Sequence, residues 1–288
     1  MTLEVRVPPR ADFGTLRDYL APGVVDAFDA VVASGAGRPQ AEIWPQVIAA
    51  ISQGRDLMLS RCWRYDSANA LPVLLNEILC RQDYYFDIAE PAPRIIDAGA
   101  NIGLASYYFH RTYHGCRLDL IEPNPVLCDI LQGNLDRNGF AGATLHRAAL
   151  YDRETRLPFH VSKHEDPASS LLDERAPADA EVIEVPTLDI RALLAEPASL
   201  LKLDIEGAEA TVLAAAGDLL RNVGAIFCET HAVAGGNTLP EVLRILTAAG
   251  FDWAVTRSPL EETEPRLRFA RWIGRRRSYS VFARRRAD

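Results

Sequence analysis

The sequence has no long uninterrupted apolar run, because charged residues or proline break each apolar stretch before the roughly 18 residues that a membrane-spanning helix needs. Its first 12 residues include Glu4, Arg6, Arg10 and Asp12 and lack the apolar core of a signal peptide. Low-complexity sequence is absent too, since the 18 glycines and 18 prolines are scattered along 288 residues, of which 48% are apolar. These absences predict a cytoplasmic globular protein with no membrane partner.

Cysteine and lysine are scarce. None of the five cysteines stands in a C-x-x-C pair, which argues against a disulfide framework or a structural zinc site and favours buried free thiols. Arginine supplies 29 of the 31 basic residues, and nine arginines lie in residues 266–288 against one aspartate. Residues 1–265 carry a net charge of −16. The basic segment could bind a nucleic acid or an anionic substrate, but the acidic body argues against a nucleic acid.

Two regions of different character follow each other. Residues 1–92 have apolar positions at helical spacing, such as Val47 and Ile51, and predict a mainly helical extension that covers the substrate or forms a homo-oligomer contact. The prolines of Glu90–Pro93 end this region. In residues 93–288 short apolar runs alternate with helical patterns, which predicts a parallel sheet covered by helices on both faces.

Two hairpins are expected in the second region. Residues 151–190 are long for one crossover and contain two stretches of alternating apolar residues, which predicts an inserted hairpin or lid around Ser169 and Ser170. Phe251–Thr256 and Ser278–Ala283 predict an antiparallel hairpin that finishes the sheet.

Two helices of this region carry clear start signals. Asn124 followed by Pro125 predicts an N-cap and first turn, with Gly139 as the stop. Thr238 and Glu241 have the spacing of a capping box.

A glycine turn follows the first predicted strand of the second region. Asp97 precedes Gly99, Asn101 and Gly103, and a helix begins next, which is where a nucleotide sits in a doubly wound sheet. A dinucleotide fingerprint would need glycine in place of Asn101 and glycine or alanine in place of Leu104, and the Gly-Lys-Ser/Thr of a phosphate loop is missing. A side chain at Gly99 or Gly103 should collide with the ligand or force an unfavourable backbone angle.

A carboxylate ends the next predicted strand. Glu122 lies about 20 residues past the turn, where ribose hydroxyls need an acceptor. Asp97 suits a ligand with a cationic amino group. S-adenosylmethionine combines that ammonium with a ribose and with a carboxylate for the helix amides, so these residues predict it as the cofactor.

A later strand is unusual for the centre of a parallel sheet. Such strands are apolar on both faces, yet Leu200–Glu206 carries Lys202, Asp204 and Glu206 on one face. These charges indicate the carboxyl end of the sheet, where ligands bind and reactions take place. A local ion pair of Lys202 with one of the two carboxylates is the structural alternative.

The neighbouring strand ends in Glu229 and His231, at the same expected edge. Asp204 and His231 are candidates for the general base of the reaction, with Glu229 beside them. The three together could bind a divalent cation, but the adjacent acidic pair that would complete such a site is missing after Glu229, so a metal is not favoured.

Four ordered motifs resemble those of the FkbM-type class I methyltransferases, namely Ile96–Gly103, Glu122–Pro125, Thr187–Asp189 and Leu201–Glu209. The resemblance begins at about Tyr84. It implies a doubly wound, Rossmann-like, mostly parallel seven-stranded sheet and S-adenosylmethionine-dependent methylation, typically of a hydroxyl on a sugar, polyketide or other secondary metabolite. It also implies that Asn124 belongs to the cofactor site and that Tyr84 and Tyr85 cover the cofactor, with core packing as the alternative for the tyrosines.

Two other functions stay open. An N-methyltransferase could act on a peptide or RNA through the arginine-rich segment, but Asp204–Gly207 lacks the Asn/Asp-Pro-Pro-Tyr/Phe tetrapeptide common in base N-methyltransferases. A non-catalytic nucleotide-binding module would leave the charged strand without a purpose. A small-molecule acceptor is therefore the leading expectation.

Overall fold

The structure, a computed structural model, describes residues 13–38, 40–67, 70–161, 180–233, 236–257 and 278–286. The N-terminal elements are α1 (Phe13–Arg17), α2 (Pro22–Ser34), α3 (Gln40–Ile51), β1 (Ser52–Gln53), β2 (Asp56–Met58), β3 (Cys62–Arg64) and α4 (Leu71–Leu74), which continues as a π-helical turn over Leu75–Cys80. The three strands form a small antiparallel sheet. The sequence predicts a mainly helical region here and does not predict this small sheet.

From residue 94 onward strands and helices alternate. The elements are β4 (Arg94–Ala98), α5 (Leu104–Thr112), β5 (Arg117–Ile121), α6 (Pro125–Asn138), β6 (Ala143–His146), β7 (Ala149–Tyr151), β8 (Arg156–Val161), β9 (Glu181–Asp189), α7 (Ile190–Leu193), β10 (Ala198–Leu203), α8 (Glu209–Ala216), β11 (Val223–Thr230), β12 (Ala232–Val233), β13 (Gly236–Asn237), α9 (Leu239–Ala248), β14 (Phe251–Arg257) and β15 (Tyr279–Arg285). Within the described residues no helix is both long and apolar enough to cross a bilayer.

The main sheet has seven strands in the order β14-β15-β11-β10-β4-β5-β6. The five strands from β11 to β6 pair in parallel, whereas β15 pairs antiparallel with both β11 and β14. The chain runs outward from β4 to one edge and then returns to β10 on the other side of β4, so the strand order reverses between these two strands. This confirms the predicted fold and puts the crevice for a ligand at the carboxyl ends of β4 and β10.

The inserted segment between β6 and β10 forms a separate small sheet. β8 and β9 pair antiparallel, and β7 adds to β9 in parallel. The predicted tip around Ser169 and Ser170 lies outside the described residues.

The two predicted helix starts differ in their chemistry. Asn124 caps α6 as expected, because its side chain accepts a hydrogen bond from the Val126 amide at 3.0 Å, and Gly139 ends the helix in a left-handed conformation. The capping box at Thr238 is wrong: its hydroxyl makes no cap and instead donates to the carbonyl oxygen of His231 at 2.8 Å. This hydrogen bond ties the start of α9 to the end of β11.

The N-terminal elements share one apolar core with a face of the main sheet. Trp63 of β3 is fully buried, packs against Tyr107 and Phe140, and donates its indole N–H to the carbonyl of Ile102 at 2.9 Å. Asn134 donates to the same carbonyl at 3.0 Å and accepts from the Arg64 amide. The extension is thereby packed against the glycine turn, and the division at Glu90–Pro93 into two domains stays a prediction.

Candidate functional site at the carboxyl ends of the parallel strands

The glycine turn between β4 and α5 has left-handed backbone at three positions. The φ angles are +80° at Gly99, +51° at Asn101 and +83° at Gly103. Asn101 tolerates this conformation because its side-chain oxygen accepts a hydrogen bond from the Ile102 amide at 2.7 Å. The turn is therefore formed by the residue types that adopt it at low cost.

Both glycines are also required by close packing of the chain itself. A β-carbon on Gly99 would overlap the carbonyl oxygen of Asp204, and one on Gly103 would overlap the side chain of Leu131. The sequence predicts that a side chain at either glycine would collide with a ligand. In the structure such a side chain would already collide with the protein itself. The turn is pressed against the end of β10 on one side and against α6 on the other.

Glu122 follows β5 and lies against the turn. One carboxylate oxygen accepts a hydrogen bond from the Asn101 amide and the other from the Asn124 amide, both at 2.9 Å. Burial outweighs these two amides and raises the pKa of Glu122 to about 7. Because a carboxylate can accept about four hydrogen bonds, lone pairs remain on both oxygens for a ligand.

Asp97 and Lys202 form a buried ion pair beneath the turn. Lys202 Nζ lies 3.1 Å from Asp97 Oδ1 and donates to the Gly99 carbonyl at 2.8 Å. Asp97 Oδ2 accepts no hydrogen bond from the described residues. The contact of Asp97 with a cationic group of the ligand stays a prediction, because Asp97 Oδ1 also lacks a hydrogen bond from the described residues and the side chain is fully buried.

Tyr84 lies beside this pair and is 3% exposed. Its ring packs edge-on against Phe227, with centroids 4.7 Å apart, and Lys202 Nζ stands 5.4 Å from the ring centre. Burial raises the pKa of its hydroxyl well above the usual value. Tyr84 is therefore packed in the core, which the sequence analysis gave as the alternative to covering the cofactor. Tyr85 is 53% exposed. Their contact with a cofactor stays a prediction.

The chain turns sharply after β10. The strand ends at Leu203, so Asp204 and Glu206 follow the strand rather than belong to its charged face. Glu206 has a φ of +58° and Gly207 one of +116°, which reverses the chain before α8. Glu209, the first residue of α8, is fully buried and accepts hydrogen bonds from the Gly207 amide at 3.0 Å and the Ile205 amide at 3.3 Å.

His231 follows β11 and is surrounded by carboxylates. Its Nδ1 lies 2.8 Å from Glu209 Oε1, while its Nε2 lies 3.6 Å from Glu206, 3.9 Å from Asp204 and 4.0 Å from Glu229. Burial alone would lower the pKa of the imidazole, but these carboxylates raise it to about 10. His231 therefore carries a positive charge at neutral pH.

Of the carboxylates around His231, Glu209 is fully buried, while Asp204, Glu206 and Glu229 are partly buried. Burial raises the pKa of Asp204 although Lys202, at 3.8 Å, and His231 favour its ionised form. Burial and the charge of Asp204 raise the pKa of Glu229 to about 7. Burial, with the charges of Glu229 and Asp204, also raises the pKa of Glu77 well above its usual value. Glu77 comes from the π-helical turn, so the N-terminal region contributes a carboxyl group close to Asp204 and Glu229.

The structure brings the predicted site residues to one edge of the sheet. The turn, Glu122 and Asn124 are joined by hydrogen bonds, and Asp204, Glu229 and His231 lie next to it. Oxygens of Asp204 and Glu206 and a nitrogen of His231 lie within 4.8 Å of one another, a spacing that would admit a metal ion.

Sequence reasoning named Glu206 on the charged strand but assigned no role at the site to Glu206, Glu209 or Glu77. Glu206 and Glu209 follow Asp204 in a D-x-E-G-x-E pattern, and the glycine signals the chain reversal that turns them toward the same pocket. For Glu77 the sequence carries no such signal, because a helix of the N-terminal region places it there.

The fold and the site first define a class. The protein has a doubly wound parallel sheet, with a glycine turn after one central strand and a buried carboxylate after the next. These features define a Rossmann-like fold with a site of the kind that binds nucleotides. Residues 97–252 match the family model described as the methyltransferase FkbM domain. The chain belongs to this family and is a methyltransferase.

Curated relatives agree with that assignment. Methyltransferase sdnD of Sordaria araneosa is 30% identical over 62% of this chain and 81% of its own length. The 31-O-demethyl-FK506 methyltransferase FkbM of Streptomyces tacrolimicus is 26% identical over 59% of this chain and 76% of its own. A crystal structure of methyltransferase FkbM from Methylobacillus flagellatus superimposes with a TM-score of 0.43 at 17% identity, over 90% of this chain and 61% of that one.

Proposed function

We propose that this chain is an S-adenosylmethionine-dependent O-methyltransferase that acts on a hydroxyl group of a small molecule. Glu122 carries the proposal, because it is a buried carboxylate held by two backbone amides at the glycine turn, with lone pairs left for two ribose hydroxyls. The acidic pocket next to it suits a cofactor whose reactive centre is a sulfonium cation.

The residues of the site fit this cofactor. Glu122 would hold the ribose, and Asp97 Oδ2 is an unsatisfied buried acceptor close to the turn. When bound, S-adenosylmethionine would supply an electrophilic methyl carbon: the acceptor oxygen bonds to it in line with the C–S bond, which breaks and releases the sulfur as a neutral thioether. The chain must hold that oxygen on the methyl axis and take up its proton.

Asp204 is the group best suited to take the proton. The pKa of His231 is raised to about 10, which favours the doubly protonated imidazolium at neutral pH, and an imidazolium has no free nitrogen to accept a proton. The raised pKa of Asp204 makes its carboxylate a stronger base than a solvated aspartate, and a quarter of its side chain is exposed toward the pocket. Glu229, 13% exposed and with a pKa of about 7, is the second candidate, and His231 stabilises the ionised forms of both.

A small acceptor is favoured over a nucleic acid. In their ionised forms Asp204, Glu206 and Glu229 would repel a phosphate backbone that approached this edge of the sheet. The Streptomyces tacrolimicus relative is named for methylating 31-O-demethyl-FK506, which supports an oxygen acceptor. Both observations favour a hydroxyl-bearing metabolite.

The first experiment measures cofactor binding by equilibrium dialysis with radiolabelled S-adenosylmethionine. Glu122→Ala should weaken binding by about 1.5 to 3 kcal/mol, the range for hydrogen bonds to a charged group. The matched control is Glu241→Gln, whose carboxylate pairs on the surface with Arg244 and should not matter. Equal affinity of the Glu122 variant and the wild type would remove this residue from the site.

The second experiment follows the methyl label. Protein and methyl-labelled cofactor are incubated separately with a metabolite extract, total RNA and a peptide mixture. We expect label in an organic-soluble product as a methyl ether. Label on RNA, on peptide or on a nitrogen would replace the proposal by the N-methyltransferase alternative, and binding without transfer to any of the three would favour a non-catalytic module.

A further inference from the structure

One nitrogen of His231 points at carboxylates that it does not reach. The residue is 5% exposed, and Nδ1 is satisfied by Glu209. Nε2 stands 3.6 Å from Glu206 Oε2 and 3.9 Å from Asp204 Oδ1, which is longer than the about 3.2 Å limit of a normal N–H···O hydrogen bond. The polar atoms converge on one point without bonding to one another.

These separations are close to the distances between ligand atoms that share one ion. Ligand atoms at about 2.1 Å from a cation stand roughly 3.0 Å apart when cis in an octahedron, 3.4 Å apart in a tetrahedron and 4.2 Å apart when trans. The nitrogen–oxygen distances of 3.6 and 3.9 Å lie between the tetrahedral and trans values, and the three candidate ligand atoms lie within 4.8 Å of one another, so the side chains must move closer together to share one ion. Small side-chain rotations would complete the coordination.

Glu209 supplies the outer contact that histidine ligands of metals usually have. A metal-bound imidazole commonly donates its other ring N–H to a carboxylate, which fixes the tautomer and leaves one nitrogen for the metal. Glu209 Oε1 is 2.8 Å from His231 Nδ1 and is itself held by the Gly207 and Ile205 amides. The imidazole is therefore oriented with Nε2 toward Asp204 and Glu206, and a cation that binds there must displace the proton that Nε2 carries in the free protein, which is released to solvent.

We propose that Asp204, Glu206 and His231 bind one divalent cation at the carboxyl end of β10, with Glu209 as the positioning residue for His231. A donor set of two carboxylates and one imidazole suits Mn²⁺, Fe²⁺ or Zn²⁺ better than Ca²⁺, which takes oxygen ligands. The adjacent acidic pair absent after Glu229 is not needed, because the second carboxylate comes from Glu206 across the chain reversal.

Binding of the cation is independent of the methylation reaction. Only its use in catalysis, to lower the pKa of an acceptor hydroxyl held beside Asp204, rests on the proposed function. The site is therefore tested without cofactor or acceptor. Its failure would leave the cofactor and transfer experiments unaffected.

The experiment titrates Mn²⁺ into chelator-treated full-length protein at pH 7.5 and measures free Mn²⁺ by electron paramagnetic resonance. We expect one Mn²⁺ per chain. Glu206→Gln and His231→Ala should each lower the affinity by more than about tenfold, and Glu209→Gln by about 10- to 100-fold. A competing titration with Ca²⁺ should displace Mn²⁺ poorly.

Two variants serve as matched controls. His146→Ala removes a histidine whose Nε2 already has Asp119 Oδ1 at 3.1 Å, and Glu241→Gln removes a surface carboxylate. Both should bind Mn²⁺ like the wild type. Glu206 is partly exposed, so Glu206→Gln should stay folded, which circular dichroism checks. The proposal is overturned if the wild type binds no Mn²⁺ below millimolar concentration, or if folded Glu206→Gln and His231→Ala bind it normally.

Discussion

Lys202 and Asp97 join the two central strands of the sheet at the place where the strand order reverses. Their side chains are 3% and 0% exposed, with Lys202 Nζ 3.1 Å from Asp97 Oδ1. Lys202 is paired in register with Asp97 across β10 and β4 and also donates to the Gly99 carbonyl. The pair therefore fastens the glycine turn to the strand that precedes Asp204.

The first prediction is that Lys202→Met destabilises the protein by about 3 to 5 kcal/mol, because it leaves an uncompensated buried carboxylate at Asp97. The double variant Lys202→Met with Asp97→Asn should lose less, since both charges are then absent. Urea unfolding followed by circular dichroism measures the free energy of unfolding.

An exposed pair provides the control for this prediction. Glu241 and Arg244 are 2.6 Å apart on the surface of α9, and Glu241→Gln should change the free energy of unfolding little. If Lys202→Met were as stable as the wild type, the pair would not hold the strands together.

The second prediction concerns two glycines with similar backbone angles but different surroundings. Gly99→Ala should destabilise the protein clearly more than Gly139→Ala, because a β-carbon at 99 overlaps the Asp204 carbonyl whereas no atom lies within 4 Å of one at 139. The left-handed conformation alone costs about 1 to 2 kcal/mol in either variant. Thermal unfolding compares the two, and equal losses would show that the turn can move away from β10.

The main sheet could be predicted because its signals are local. Short apolar runs, the N-cap at Asn124 and the glycine turn each depend on neighbouring residues, and right-handed crossovers leave few topologies for them. The start of α9 is different, because Thr238 had two acceptable partners. Its hydroxyl bonds the carbonyl of His231, which lies seven residues earlier and comes near only in the folded chain.

The surroundings of His231 could not be predicted for the same reason. The sequence predicts that His231 follows β11. Its charge state, however, depends on Glu206 and Glu209, which the chain reversal at Gly207 brings close to it. These carboxylates raise the pKa of His231 to about 10, and the role of His231 as a base stays a prediction. Glu77 shows the same limit, because its contribution to the pocket arises from packing between the N-terminal region and the sheet.

The third prediction is that affinity for S-adenosylmethionine rises with pH up to about 7. Burial raises the pKa of Glu122 to about 7 in the free protein, whereas ribose hydroxyls bind the ionised form. Below pH 7 binding must release a proton, so the affinity should fall about tenfold per pH unit, and above pH 7 it should level off.

Isothermal titration calorimetry between pH 5.5 and 8.5 measures this dependence. Glu122→Gln is the control, because it keeps the shape of the side chain and cannot ionise. Its affinity should be weaker and nearly independent of pH over this range. A wild-type profile that is flat, or that is shared by the variant, would assign the ribose to another residue.

The last prediction separates the group that accepts the proton from those that only shape the pocket. If Asp204 is the base, Asp204→Asn should lower kcat by about 10² to 10⁴ while the affinity for the cofactor changes little, because base catalysis acts on the transition state. Glu229→Gln should then lower kcat much less. If Glu229 takes the proton instead, the two losses are exchanged.

The pH profile of kcat checks that assignment. The acidic limb of the wild-type profile, which reports deprotonation of the base, should vanish in the variant that lacks it and persist in the other. His231→Gln should keep the limb but shift it upward, because the imidazolium favours the ionised forms of Asp204 and Glu229. Near-normal turnover in both carboxylate variants would mean that the hydroxyl loses its proton to solvent, with this pocket serving only to position the acceptor.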